Sequence, residues 1–166
     1  HQSKDQRQEF YDFLKTEVSG LIGFNNVNYD YPLLHYFMRL IEMTAVDYGV
    51  TNLLRLLYEE SQRIIREDYS AIPEWNTLIP QLDLFRIHHF DNKAKATSLK
   101  AVEIAMQSPN IVDMPFEHDH WISEEEIPET LNYNMNDVQE TLKFYFKSID
   151  MINLRKQLTA TYDINL

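Results

Sequence analysis

Two short stretches of this sequence set carboxylates where a cation could reach them. In GFNNVNYDYPLLHYF (23–37), Asp30 follows an apolar run and an Asn-rich elbow and stands two residues before Pro32. In YNMND (133–137), Tyr133 and Asp137 are four residues apart, which on a helix puts both on one face. Each stretch is open to two readings. Asp30 either steadies the start of the next helix by its charge or is a metal-binding carboxylate at a strand-to-helix junction. Asp137 is either an exposed acid beside an exposed tyrosine or a buried one. A buried carboxylate needs a partner, because an isolated buried charge is costly, and a cation would serve. Leu131, Val138, Leu142, Tyr145 and Ile149 form a separate stripe, while Phe144 joins the Tyr133 side. The helix therefore reads as apolar on two sides and buried on both.

Histidine offers a different chemistry. HHFD (88–91) and EHDHW (117–121) together hold four His with Asp91, Glu117 and Asp119. A His-ligated metal hydrolase is conceivable from these, although the spacing is loose and no His-Glu-x-x-His helix occurs. His35, between Leu34 and Tyr36, reads as packing. Only Gly20, Gly23 and Gly49 are present, so there is no glycine-rich phosphate loop, and no Gly-x-Ser-x-Gly elbow occurs.

The elements that must position these groups follow from apolar spacing. Phe10, Phe13, Leu14 and Val18 predict a helix over 7–18. The run at 20–24 is short, apolar and bounded by glycine, which predicts a buried strand. A helix is expected over 32–43, with Pro32 in its first turn, and another over 51–68. Residues 70–80 read as a loop and 81–90 as a strand. Residues 91–106 begin as a turn and become a helix capped by Thr97 or Ser98. A loop at 107–122 leads into a helical stretch from about 123 to 162, interrupted near Pro128 and Ser148.

The chain has 166 residues, 44% of them hydrophobic, enough for one domain with a core. It has no cysteine, hence no disulfide framework and no thiolate zinc site. No apolar run is long enough to span a membrane, and no secretory h-region is visible at the start. The net charge is −11, which argues against binding nucleic acid by surface charge alone but not against meeting phosphates through bound cations. Charge is uneven: residues 86–100 carry a net +3, whereas 113–130 hold seven acids and no Lys or Arg. The first residue is His, not Met, and a fragment of something longer is expected.

Asn26-x-x-Tyr29-Asp30 followed by Tyr133-x-x-x-Asp137 resembles the second and third motifs of the DEDD exonucleases. The closer likeness is to their tyrosine subgroup, the 3′→5′ proofreading exonuclease domains of phage-type DNA polymerases. It extends over roughly residues 20 to 147 and includes DLFRIHHFDNKAKATSLKAVEIAM and NYNMNDVQETLKFY. The resemblance implies an α/β, ribonuclease-H-like fold, here helix-rich and short of its first strands. Residues 1–147 would form the exonuclease-like domain and 148–166 a helical exit segment toward a following domain.

It further implies a two-metal site holding Mg2+ or Mn2+, with Asp137 binding one cation directly and Asp30 near the second through water. Tyr133 would orient the attacking water, Asn26 would support the site or the terminal nucleotide, and Lys100 would stand near the substrate. The substrate would be a single-stranded DNA 3′ end, the partner the remainder of a polymerase chain, and the compartment the cytoplasm of a bacterium or phage-infected cell. The family's first motif, Asp-x-Glu on a strand upstream of the second, occurs nowhere in the 166 residues. The piece alone is therefore expected to be inactive. A non-catalytic module that holds DNA or polymerase is the alternative.

Overall fold

The computed structural model describes residues 5–43, 49–67, 71–89, 97–109, 111–117 and 120–163. The chain divides after Asp83 into two compact units. It is mostly helical and contains one small parallel sheet of two strands, a helix-rich α/β composition as the sequence predicts.

In the first unit, α1 (Arg7–Thr16), α2 (Asp30–Glu42) and α3 (Gly49–Arg66) gather around one apolar core. Tyr11 and Leu14 of α1, Phe37, Met38 and Leu40 of α2, and Leu53 of α3 are its buried members, joined by Tyr31 and Ile79. Helical spacing puts these apolar residues on facing stripes, and removing them from water drives the assembly. His35 is buried, as its apolar neighbours suggest, with Nε2 at 3.1 Å from the Asn76 carbonyl. Helix α2 begins at Asp30, two residues before Pro32. This suits proline, which lacks only an N–H that a first turn does not use.

Strands β1 (Leu21–Gly23) and β2 (Gln81–Asp83) run parallel, with Gly23 paired to Asp83 at their C-terminal ends. The buried Tyr31 fixes the approach to β2: its hydroxyl oxygen accepts from the Leu78 and Ile79 amides at 2.8 and 3.1 Å. The strand expected over 81–90 is three residues long and gives way at once to α4 (Leu84–His89). Leu84, Phe85 and Ile87 are all buried, a consecutive-and-third spacing that a helix can bury and a one-sided strand cannot.

The second unit contains α4, α5 (Leu99–Ala105), α6 (Ile127–Lys147) and α7 (Ile149–Tyr162). Ser98 caps α5, its hydroxyl accepting from the Ala101 amide at 3.2 Å. Residues 91–96, expected to open that helix, lie outside the described residues. Pro128 sits in the first turn of α6 rather than interrupting it, and the break falls at Ser148. There the Ser148 hydroxyl donates to the Phe144 carbonyl at 2.7 Å and lies 2.8 Å from His88 Nε2. Arg155 of α7 donates to the Ile87 carbonyl at 2.7 Å. These bonds tie α4 to the α6–α7 junction.

The stripe expected to be buried on α6 is largely exposed: Leu131, Val138 and Leu142 are 60%, 63% and 51% accessible. The helix packs instead through the side that carries Tyr133, Asp137, Glu140 and Phe144. Among the described residues, no helix is long and apolar enough to cross a membrane.

Candidate functional site

In the first unit, the turn between β1 and α2 is fastened by carboxylate and amide groups. Asp83, buried at the end of β2, accepts from the Asn25 amide at 2.8 Å and the Val27 amide at 3.4 Å. Asn25 takes a left-handed conformation, φ 59°, which asparagine tolerates better than most residues. Asn26 is also buried. It folds back over Gly23, where a Cβ would meet the Asn26 Cβ at 2.5 Å, so only glycine fits there. Its Nδ2 donates to Gln81 Oε1 at 2.6 Å, and its carbonyl accepts from the Tyr31 amide at 2.8 Å. Its Oδ1 is buried with no hydrogen-bond partner.

This turn delivers Asp30 to the first turn of α2, where its side chain stays exposed. The surrounding protein nevertheless desolvates the carboxyl, and repulsion from Asp83 adds to the effect. Together these raise its pKa above the ordinary aspartate value. Asp30 and Asp83 thus form an acidic pair at the C-terminal ends of parallel strands, the end of α/β sheets where ligands are bound.

In the second unit, Tyr133 and Asp137 meet on one face of α6 as the spacing predicts, and both are partly buried. The Tyr133 hydroxyl and the Asp137 carboxylate lie one helical turn apart and influence each other's protonation. Burial, and then the negative charge of Asp137, push the Tyr133 pKa up to about 12. Tyr133 is therefore a firmly protonated hydrogen-bond donor. Burial raises Asp137 above the ordinary range, against opposing help from Tyr133 and Lys100. Two acids that the sequence reading does not single out lie beside it. Glu103 of α5 is 1% exposed, its Oε2 has no partner, and burial followed by repulsion from Asp137 and Glu140 raises its pKa. Glu140 is equally buried. There desolvation is outweighed by bonds from Lys143 and Ser108, and its pKa is lowered. Lys100 is committed to a loop: its amine donates to Asp113 at 2.6 Å and to the Val112 carbonyl.

No family model, no curated protein and no solved structure matches the chain.

The donor set is one of hard oxygens, which suits Mg2+ or Mn2+ rather than softer metals. Among the described residues, however, no three His, Asp or Glu side chains stand close enough together to hold a metal ion. Asp30 belongs to the first unit and Asp137 to the second. Of the histidine candidates, His88 is engaged with Ser148 and the Phe144 ring, His89 with the Phe85 ring, and His120 with Glu126. Asp91, His118 and Asp119 lie outside the described residues.

Sequence reasoning did not single out Asp83, Glu103 or Glu140, although the two stretches that carry the family likeness contain all three. The signal for Asp83 was its place at the end of an apolar run, opposite the Asn-rich elbow. Glu103 and Glu140 look like ordinary acids on amphipathic helices.

Proposed function

We propose that this chain carries the second and third motifs of a Mg2+- or Mn2+-dependent 3′→5′ exonuclease of ribonuclease-H-like fold. It would act on single-stranded DNA ends as the proofreading part of a larger DNA polymerase in a bacterial or phage-infected cytoplasm. The observation that carries this reading is the Tyr133–Asp137 pair: a partly buried carboxylate one helical turn from a partly buried phenol, on the enclosed side of α6. Asp30, which opens α2 after the turn that follows β1, would supply the partner motif. One further feature favours the reading: α6 leaves an apolar stripe open to solvent, which another element would cover.

In this reading Asp137 would hold one cation, and Asp30 would stand by the second through water. The bound cations would supply Lewis acidity and an acidified water. Tyr133, far too weak an acid to serve as a base at neutral pH, would orient that water with its hydroxyl. Lys100 would act indirectly, by holding the loop at 112–113. The remaining carboxylates would come from an Asp-x-Glu strand outside these residues.

The test uses a polypeptide completed with such a strand and measures single-turnover cleavage alongside manganese binding. Tyr133→Phe is expected to slow cleavage by about a hundredfold while leaving manganese affinity nearly unchanged, and Asp137→Ala to lose both. Parental cleavage by Tyr133→Phe would reduce Tyr133 to packing. Parental cleavage by Asp137→Ala would remove the exonuclease reading altogether, and absence of metal-dependent cleavage by the completed parent would favour a non-catalytic binding module.

A further inference from the structure

A groove of about 630 Å³ lies in the second unit between α6 and residues 109, 111–113 and 115, within the size range of small-molecule sites, roughly 300–1,000 Å³. Three side-chain amides of α6 face it, those of Asn132, Asn136 and Gln139. Asn136 Nδ2 is buried without a hydrogen-bond partner, a state that costs about 1–3 kcal/mol unless something accepts from it. The opposing wall includes Ile111 and Val112, with Met135 beside them, and Tyr133 lines the groove as well. The charged lining is acidic, Asp113 and Glu129, and none of the described lining residues is Lys or Arg.

From these features we infer that the groove takes a nucleobase of a single strand, presented by its edge to the amides and by its faces to the apolar wall. The lining decides against the phosphate: Asp113 is paired with Lys100, but Glu129 adds a negative charge with no cation in the lining to offset it. A base is neutral and flat, and it carries the acceptors that Asn136 Nδ2 lacks. Side-chain amides pair with base edges, and apolar or aromatic groups pack on base faces. Lys100 becomes a positioning residue here, since its bonds to Val112 and Asp113 hold the far wall in place. That the base arrives as part of a DNA strand rests on the function proposed above; that the groove binds a base does not.

The experiment titrates the ¹⁵N-labelled chain, with a chelator present, against thymidine 5′-monophosphate and separately against deoxyribose 5-phosphate. Thymidine monophosphate is expected to shift the side-chain amide signals of Asn132, Asn136 and Gln139 saturably, and the base-free sugar phosphate to leave them in place. Asn136→Ala is expected to weaken binding about tenfold. Gln139→Ala, at an exposed position that the fold does not need, should weaken it less and serves if Asn136→Ala does not fold. Equal shifts with the sugar phosphate, or none with the nucleotide, overturn the inference. Base-dependent shifts in a chain whose completed form binds no manganese would keep the groove and remove the nuclease. Cleavage without base-dependent shifts would remove the groove alone.

Discussion

Helices α2 and α6 each carry a candidate carboxylate, Asp30 in the first and Asp137 in the second, yet they are packed in opposite senses. Helix α2 buries Tyr31, Phe37, Met38 and Leu40 and leaves Asp30 at its exposed start. Helix α6, the longest in the described residues, buries Glu140 and partly buries Tyr133 and Asp137, while Leu131, Val138, Leu142 and Phe146 remain open to solvent. The first arrangement is that of a helix whose stability comes from its own core. The second spends burial on polar groups, which must each find a partner. Glu140 finds Lys143 and Ser108; Glu103 leaves an oxygen unmatched. The lesson is that the two carboxylates are held by different means: Asp30 by a rigid turn, Asp137 by a polar interior.

The comparison is most sharply tested by truncating one apolar side chain on each helix. Met38 is 2% exposed, and Met38→Ala is expected to cost about 2–5 kcal/mol, read as lost amide-exchange protection in α1, α2 and α3 under mild urea. A loss below about 1 kcal/mol would mean that the first unit does not depend on its apolar core, and the contrast would collapse.

A smaller effect is expected from pH. Burial lowers the His35 pKa, the Asn76 carbonyl only partly opposing it. A histidine with a lowered folded-state pKa contributes stability that is fully present above its ordinary value of about 6.5 and is lost as pH falls through the lowered one. The first unit should therefore weaken progressively as pH falls below about 6.5. His35→Gln should flatten that dependence while keeping a group that can donate to the Asn76 carbonyl. An unchanged slope in the variant would show that His35 is not the titrating group.

The smallest effect is expected at Val138, 63% exposed on α6. Val138→Ala should change the chain's stability by no more than about 0.5 kcal/mol in either direction. A loss comparable to that of Met38→Ala would show that the stripe is covered in solution, and the two helices would then be alike.

Much of the helical framework was legible in the sequence. Apolar spacing located α1, α2, α3 and α6 to within a few residues, because a helix that buries one stripe must repeat its apolar residues at helical spacing. The Tyr133–Asp137 pair was legible for the same reason: a four-residue separation fixes a shared face whatever surrounds the helix. Pro32 in the first turn of α2 and a cap at Thr97 or Ser98 could also be read, since both depend on a residue's own backbone and its nearest neighbours, whereas Pro128 opens a helix that it was expected to interrupt.

What only the tertiary structure decided is which side of each element meets protein. The apolar stripe of α6 looks buried on paper, yet the partly polar side is the one enclosed, because burial depends on which neighbours exist and periodicity alone cannot supply them. The run 81–90 splits after Asp83 for a related reason. The Asp83 carboxylate is fixed by the Asn25 and Val27 amides, 58 and 56 positions away, and the residues after it turn helical to bury Leu84, Phe85 and Ile87. Asp83 and Glu103 acquire their character from contacts distant in sequence, and Glu140 from Ser108, 32 positions away, together with Lys143 on its own helix. Local spacing determined where the candidate carboxylates point from their own helices; long-range packing determined which of them are desolvated, repelled or paired.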